Sequence, residues 1–165
     1  MSGPAILLQF LNGLAGASSL FLVAAGLSLI FGVTRIVNFA HGSLFMLGMY
    51  LAVWLSPAVG YWAAVPLAAA AVAAFGTVVE IVLLRRIYKA PELFQLLATF
   101  ALVLLVKDFA LWMWGPVDML GPRAPGFTGA VEIAGGLFPE YDLLLIALGP
   151  AVFALLHFLL TRTRW

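Results

Sequence analysis

The sequence predicts an all-α membrane protein with about five transmembrane helices, and three observations support this fold class. Hydrophobic residues make up 65% of the chain and charged residues only 9%, against roughly 45–50% and about 25% in typical globular domains. The charges are clustered, so long uncharged segments remain between them. Prolines and glycines fall where these segments end. Such a chain has too little polar surface for a soluble fold and too many apolar residues to stay disordered.

Each long uncharged segment is a candidate helix, because a membrane-spanning helix needs about 20 apolar residues. The five predicted helices cover about residues 6–31, 42–57, 62–88, 91–115 and 143–160. Pro57 should end the second helix, because proline restricts the residue before it. Pro66 is tolerable in the third helix, because it lies in the first turns.

The segment 115–142 separates the fourth and fifth helices and must lie in water. It contains four prolines, six glycines and five charged residues. Within it, the apolar residues 130–134 and 137–138 flank Gly135 and Gly136. This pattern predicts a short β-hairpin.

The positions of lysine and arginine predict the orientation, because cytoplasmic loops carry an excess of these residues. Six of the eight basic residues fall on one side of the membrane if the helices alternate: Arg35, Arg85, Arg86, Lys89, Arg162 and Arg164. The acidic 115–142 loop falls on the other side. The N-terminus is therefore predicted outside and residue 165 in the cytoplasm.

Composition and motifs exclude several kinds of function. The net charge of +1 gives no basic surface for nucleic acid. The chain has no cysteine, and its two histidines have no acidic residue beside them, so we expect no metal site. We expect no cofactor either. A Gly-x-x-x-x-Gly-Lys-Ser/Thr loop is absent from the sequence, so any ATP would have to bind another subunit.

The most unusual stretch, residues 34–43, places polar side chains between two apolar helices. Asn38, His41 and Ser43 lie there together with Gly42. In one interpretation it is a short cytoplasmic loop whose Asn and Ser cap the second helix. In the other it is a break inside the membrane, where unwound backbone is tolerated only if it is buried in protein or lines a cavity.

Three charged residues lie within the predicted helices. Lys107 and Asp108 interrupt the fourth helix, and charges at such positions usually face the bundle interior or a water-filled cavity. Lys107 could instead extend its side chain to the interface. Glu80 in the third helix could pair with a basic group of another span.

Ser43 and His41 raise an alternative of another class, an intramembrane hydrolase. Two residues apart on a helix, these side chains point to different sides. No carboxylate lies nearby in the sequence to orient the histidine, as a serine-hydrolase triad requires. A purely structural membrane subunit is a second alternative.

Residues 26–50 read GLSLIFGVTRIVNFAHGSLFMLGMY, and here the chain resembles branched-chain amino acid ABC transporter permeases of the LivH type. The most specific part of the match is NFAHG at 38–42, with Gly32 before it and GMY at 48–50 after it. TRTRW at 161–165 is similar to the segment that leads into the family's cytoplasmic coupling region. The resemblance spans nearly the whole chain in order and spacing.

The resemblance implies a multi-pass subunit of an importer in the bacterial inner membrane, surrounded by lipid. Its implied partners are a second homologous permease, two ATP-binding subunits and an external amino-acid-binding protein. The family's stretch corresponding to 34–43 resembles a broken helix near the translocation pathway. We therefore expect five residues of this stretch to line that pathway: Asn38, Phe39, His41, Gly42 and Ser43. Lys107 and Asp108 are expected to line it as well, because charges within a membrane span usually face the bundle interior or a water-filled cavity.

The resemblance leaves the extent of the domain and the substrate open. Family members usually continue well past this point, with the helix that docks into the ATPase. We expect residues 1–165 to be a transmembrane permease domain without the C-terminal spans and the coupling region. Urea and amide permeases of related type share these motifs, so a permease for urea, short amides or other amino acids is the alternative.

Overall fold

A computed structural model describes residues 3–34 and 38–162 of the chain. In the described residues, five helices are long and apolar enough to cross a membrane: Gly3–Gly32, Ala40–Val59, Tyr61–Ile87, Glu92–Trp114 and Glu140–Arg162. The predicted all-α membrane fold with five spans is confirmed. The first span begins three residues before its predicted start and ends one residue after its predicted end, and the last span begins three residues earlier and ends two residues later than predicted.

The described residues form, in chain order, six α-helices, one π-helical turn and one hairpin. The helices are α1 (Gly3–Thr34), α2 (Ala40–Val59), α3 (Tyr61–Val79), α4 (Arg85–Ile87), α5 (Glu92–Trp114) and α6 (Glu140–Arg162). The π turn (Glu80–Leu84) joins α3 to α4, so these three elements form the third span. The strands are β1 (Ala130–Ile133) and β2 (Gly136–Pro139).

The described chain divides into two compact units. The first consists of the described residues of Met1–Gly26 and Arg123–Trp165, and the second is the described part of Leu27–Pro122. In the first unit α1 and α6 make a local contact. Gly149 of α6 is buried, and a methyl group added to it would lie 2.8 Å from the Ser18 Oγ of α1. Small residues therefore bring these two helices together, as in many membrane proteins.

The predicted hairpin is confirmed within the same unit. β1 pairs antiparallel with β2, with Val131 opposite Phe138. Ala134 and Gly135 make the two-residue turn with φ of 52° and 80°, the left-handed conformations that a tight hairpin turn requires. The Glu140 carboxylate accepts a hydrogen bond from the Gly129 N–H at 3.2 Å, which ties the start of α6 to the loop before β1.

In the second unit, a single residue, Gly60, connects α2 to α3. Its φ of 81° and ψ of 156° are easily reached only by glycine. So short a connection makes the two helices antiparallel neighbours. They form a helical hairpin whose closed end is at Gly60.

The predicted end of the second helix at Ser56-Pro57 is wrong, because α2 continues through Pro57 to Val59. Proline has no N–H to bond the carbonyl four residues earlier, which is that of Val53. The Ser56 hydroxyl donates to this carbonyl at 2.9 Å. The freed acceptor therefore stays satisfied, as it must in lipid, and the helix can continue.

The core of the second unit lies where α2, α3 and α5 meet. Its buried residues are Ala40 and Leu47 of α2 and Leu102 and Val106 of α5. Partly buried hydrophobic residues surround them, among them Val72 and Val79 of α3 and Trp114 of α5. This cluster holds the start of α2 against its neighbours.

Candidate functional site

The candidate site is the polar start of α2, where backbone groups have side-chain partners. The Asn38 Oδ1 accepts a hydrogen bond from the Ala40 N–H at 3.0 Å, and the Asn38 carbonyl accepts one from the His41 N–H at 3.2 Å. The Ser43 hydroxyl donates to the Ala40 carbonyl at 2.8 Å. The Asn38 side chain thus accepts from a backbone N–H at the start of α2, where the first N–H groups of a helix have no partner within the helix.

Exposure divides this segment into an anchored and an open part. Asn38 and Ser43 are buried, at 8% exposure each. Phe39 is 54% exposed, and Gly42 is exposed as well. His41 is half-buried. The hydrogen-bonded side chains therefore fix the backbone, while Phe39 and Gly42 lie at an open surface of the second unit.

The register of the α2–α3 hairpin gives the depth of this segment. A methyl group on Gly48 would lie 3.6 Å from Val72 Cγ2, and these two residues lie twelve positions before and after Gly60. By the same count, Ala40 lies opposite Glu80. The third span continues to Ile87, about 10 Å beyond Glu80 at 1.5 Å per residue.

The contact of α2 with α5 independently gives the same depth for the start of α2. The rings of Tyr50 and Trp114 lie 5.3 Å apart between centroids. Tyr50 is ten residues from the start of α2, and Trp114 is 22 residues from the start of α5 at Glu92. With the two helices running in the same direction, α5 extends about 18 Å further than α2 at that end.

The start of α2 therefore lies level with the interior of both neighbouring spans and well inside their ends. A short loop at the membrane surface would begin α2 level with the ends of α3 and α5. Residues 35–37, where a break in the helix would begin, lie outside the described residues. The break itself remains a prediction, and the depth of Asn38 to Ser43 favours it.

Lys107 and Asp108 lie elsewhere on α5. The buried residues of this helix are Thr99, Leu102, Val106 and Ala110, on the side that faces the core. Lys107 and Asp108 are exposed. The structure brings Asn38 to Ser43 together at the start of α2 but does not bring these two charges into that group.

In the described residues, the partner of Glu80 is Tyr88. Its carboxylate accepts a hydrogen bond from the Tyr88 hydroxyl, and a basic group of another span is not paired with it in the described residues. The Gln95 side chain donates to the carbonyls of Ala90, at 2.9 Å, and of Tyr88, at 3.3 Å. These bonds link the end of the third span to the start of α5.

The protonation state of Tyr88 follows from its surroundings. Burial of the phenol, together with its hydrogen bond to the Glu80 carboxylate and the charge of that group, raises the pKa of Tyr88 to about 12. Arg85 opposes this shift. Tyr88 therefore stays protonated at neutral pH and remains the donor in the pair.

The described residues offer little for covalent chemistry or metal binding. They contain no group of three or more His, Cys, Asp or Glu residues placed to hold a metal ion. The Ser43 hydroxyl proton is directed to the Ala40 carbonyl, so the hydroxyl is not arranged as a nucleophile beside a base.

Comparison with known proteins connects this fold to transport. Residues 9–165 match the model of a family described as "Branched-chain amino acid transport system / permease component". The permease protein LivH of the high-affinity branched-chain amino acid transport system of Escherichia coli K12 is 25% identical over 128 residues. BraD, the permease protein of the corresponding system of Pseudomonas aeruginosa, is 41% identical over 44 residues.

These matches cover different shares of each protein. The LivH alignment covers 69% of this chain and 40% of LivH, so the chain spans about two fifths of the length of that relative. The BraD alignment covers 27% of this chain and 14% of BraD. No solved structure matches the chain.

Proposed function

Because the chain belongs to the family of permease components of branched-chain amino acid transport systems, we propose that it is a membrane permease subunit of an ABC importer. In this proposal it forms part of the pathway by which branched-chain amino acids cross the membrane. The main structural support is the depth of the polar start of α2, level with the interior of the neighbouring spans. Discontinuous helices at mid-depth form substrate sites in other transporters.

The proposed pathway residues lie at the start of α2 and on α5. Asn38, His41 and Ser43 supply polar groups, Phe39 and Gly42 supply an open surface, and Lys107 and Asp108 contribute from α5. The exposure of the last two on α5 is compatible with a water-filled cavity or with another subunit beside them. The subunit passes substrate and performs no covalent step.

The proposal assigns the remaining tasks to partners. Two ATP-binding subunits hydrolyse ATP, a second homologous permease completes the pathway, and an external binding protein delivers the amino acid. Residues 1–165 form the transmembrane permease domain in the bacterial inner membrane. Nucleic acid has no part in this function.

Uptake into vesicles that hold the assembled importer tests this function. We expect ATP-dependent uptake of labelled leucine, which excess valine or isoleucine reduces and excess urea does not. Vesicles without ATP are the control. ATP-dependent uptake of urea or a short amide that leucine does not affect would show an amide permease instead. If none of these solutes is taken up, the protein is not a permease for them.

The orientation is a separate proposal, with the N-terminus and the 115–142 loop outside and residue 165 in the cytoplasm. The chain has no cysteine, so single introduced cysteines report their own side of the membrane. Thr128 and Arg86 are both exposed and lie on opposite sides in this topology. In intact cells, an impermeant thiol reagent should label Thr128→Cys and not Arg86→Cys. The reverse pattern would show the inverted topology.

A further inference from the structure

Glu80 lies at the same level as the polar start of α2. The α2–α3 register places it opposite Ala40, on the span next to Asn38. It is half-buried. A carboxylate at this depth is costly, and intramembrane charges usually face a partner or a water-filled cavity.

The π turn explains how Glu80 reaches Tyr88. Eight residues at about 100° each rotate about 80° past two full turns of an α-helix, so these side chains would not face each other on a regular helix. The wider turn of Glu80–Leu84 reduces that rotation and brings Tyr88 onto the face of Glu80. The Tyr88 hydroxyl then holds the carboxylate in place.

The carboxylate keeps room for a second ligand. An ionised carboxylate has about four lone-pair sites, and Tyr88 occupies one of them. No lysine or arginine of the described residues forms an ion pair with it. A ligand with several N–H donors and a positive charge is the chemical complement of such a group.

We propose that the Glu80 carboxylate, held by Tyr88 across the π turn, binds the ammonium group of the amino acid as it passes the start of α2. This inference rests on the proposed function and narrows its substrate class to solutes with a free ammonium group. A neutral amide gains no ion pair with Glu80. An amino acid gains a charge-assisted hydrogen bond in a region of low dielectric, where such bonds are strongest.

Glu80→Gln removes the negative charge of residue 80 but keeps its hydrogen bond with Tyr88. The glutamine carbonyl still accepts the hydrogen bond from the Tyr88 hydroxyl. The contact across the π turn is therefore kept while the negative charge is lost. Tyr88→Phe does the opposite, because it removes the donor and leaves the carboxylate. Glu92→Gln is the matched control, since Glu92 is an exposed carboxylate in the first turn of α5.

In vesicles holding the assembled importer, Glu80→Gln should raise the KM for leucine uptake about tenfold or more, the size expected for a hydrogen bond to a charged group. Glu80→Asp should recover part of this loss. Tyr88→Phe should change KM less than Glu80→Gln does, and Glu92→Gln should leave it unchanged. Assembly of each variant is measured by its yield in the purified complex.

Three results would overturn the inference while leaving the permease function intact. Unchanged leucine KM in Glu80→Gln shows that the charge does not meet the substrate. An equal rise of the leucine KM in Tyr88→Phe and Glu80→Gln shows that only the hydrogen bond between Tyr88 and Glu80 matters. Recovery of Glu80→Gln by a second substitution, Arg35→Gln, shows that Glu80 serves as the partner of Arg35. Absence of leucine uptake by the unmodified importer overturns the permease function and the inference together.

Discussion

Replacing Gly149 by leucine should separate α1 from α6 and destabilise the protein by about 1–3 kcal/mol or more, the cost of overpacking a tight contact. Even a methyl group at this position would lie 2.8 Å from Ser18 Oγ, 3.0 Å from Ser18 Cβ and 3.5 Å from Ser18 Cα. These atoms belong to a short side chain and its backbone, which cannot move aside without shifting the helix. The midpoint of thermal unfolding in detergent should fall accordingly.

Two further variants test whether the contact between Gly149 and Ser18 causes the lower midpoint of unfolding. Gly13→Leu adds the same volume to α1, at a glycine with no atom within 4 Å of an added methyl group, and should leave the midpoint nearly unchanged. Ser18→Gly should partly restore the milder variant Gly149→Ala, because it removes the two nearest atoms. If Gly149→Leu has the same midpoint of thermal unfolding as the unmodified protein, α1 and α6 do not pack at Gly149.

Gly42→Val should reduce uptake without harming the fold. A methyl group added to Gly42 meets no atom within 4 Å, and valine is a better helix residue than glycine. If the open surface at Gly42 lines the pathway, the added side chain obstructs it, and leucine uptake should fall about tenfold, which corresponds to about 1.4 kcal/mol of added barrier. The measurements are initial uptake rate and amount of assembled complex.

Asn38→Leu should also reduce uptake, but with some loss of stability. It removes the Oδ1 that accepts the Ala40 N–H, and leaving a buried donor unpaired costs about 1–3 kcal/mol. Gly16→Val in α1 is the control for Gly42→Val, because Gly16 too has open space around it. Normal uptake by Gly42→Val and Asn38→Leu at equal expression would remove this segment from the pathway.

Much of the fold could be predicted because lipid excludes charge. The uncharged segments located all five spans. The glycine pair at 135–136 predicted the hairpin, but its two-residue turn lies one position earlier, at Ala134 and Gly135. The prediction that the second helix ends at Ser56-Pro57 was wrong for a specific reason. Proline alone signals a stop, and the compensating hydroxyl of Ser56 acts only through its position in three dimensions.

The arrangement of the site was less predictable, because these helices are apolar on nearly every side. A helix without a distinct polar face gives no sign of which residues meet protein and which meet lipid. The sequence could therefore not show that Lys107 lies on the exposed side of α5. The level of Glu80 with Ala40 depends on a link as short as Gly60 and on contact at Gly48, and neither is evident from residue types.

The single-residue link at Gly60 also has a consequence for the order of assembly. Nearly all contacts between α2 and α3 can form as soon as both segments have been synthesised, since the pairs beside Gly60 close a short loop first and each further pair then costs little chain entropy. We expect the two segments to enter the bilayer as one preformed unit. Asn38 and Glu80 would then be level with each other before α5 leaves the ribosome, so that α5 docks onto a template that already carries both polar groups.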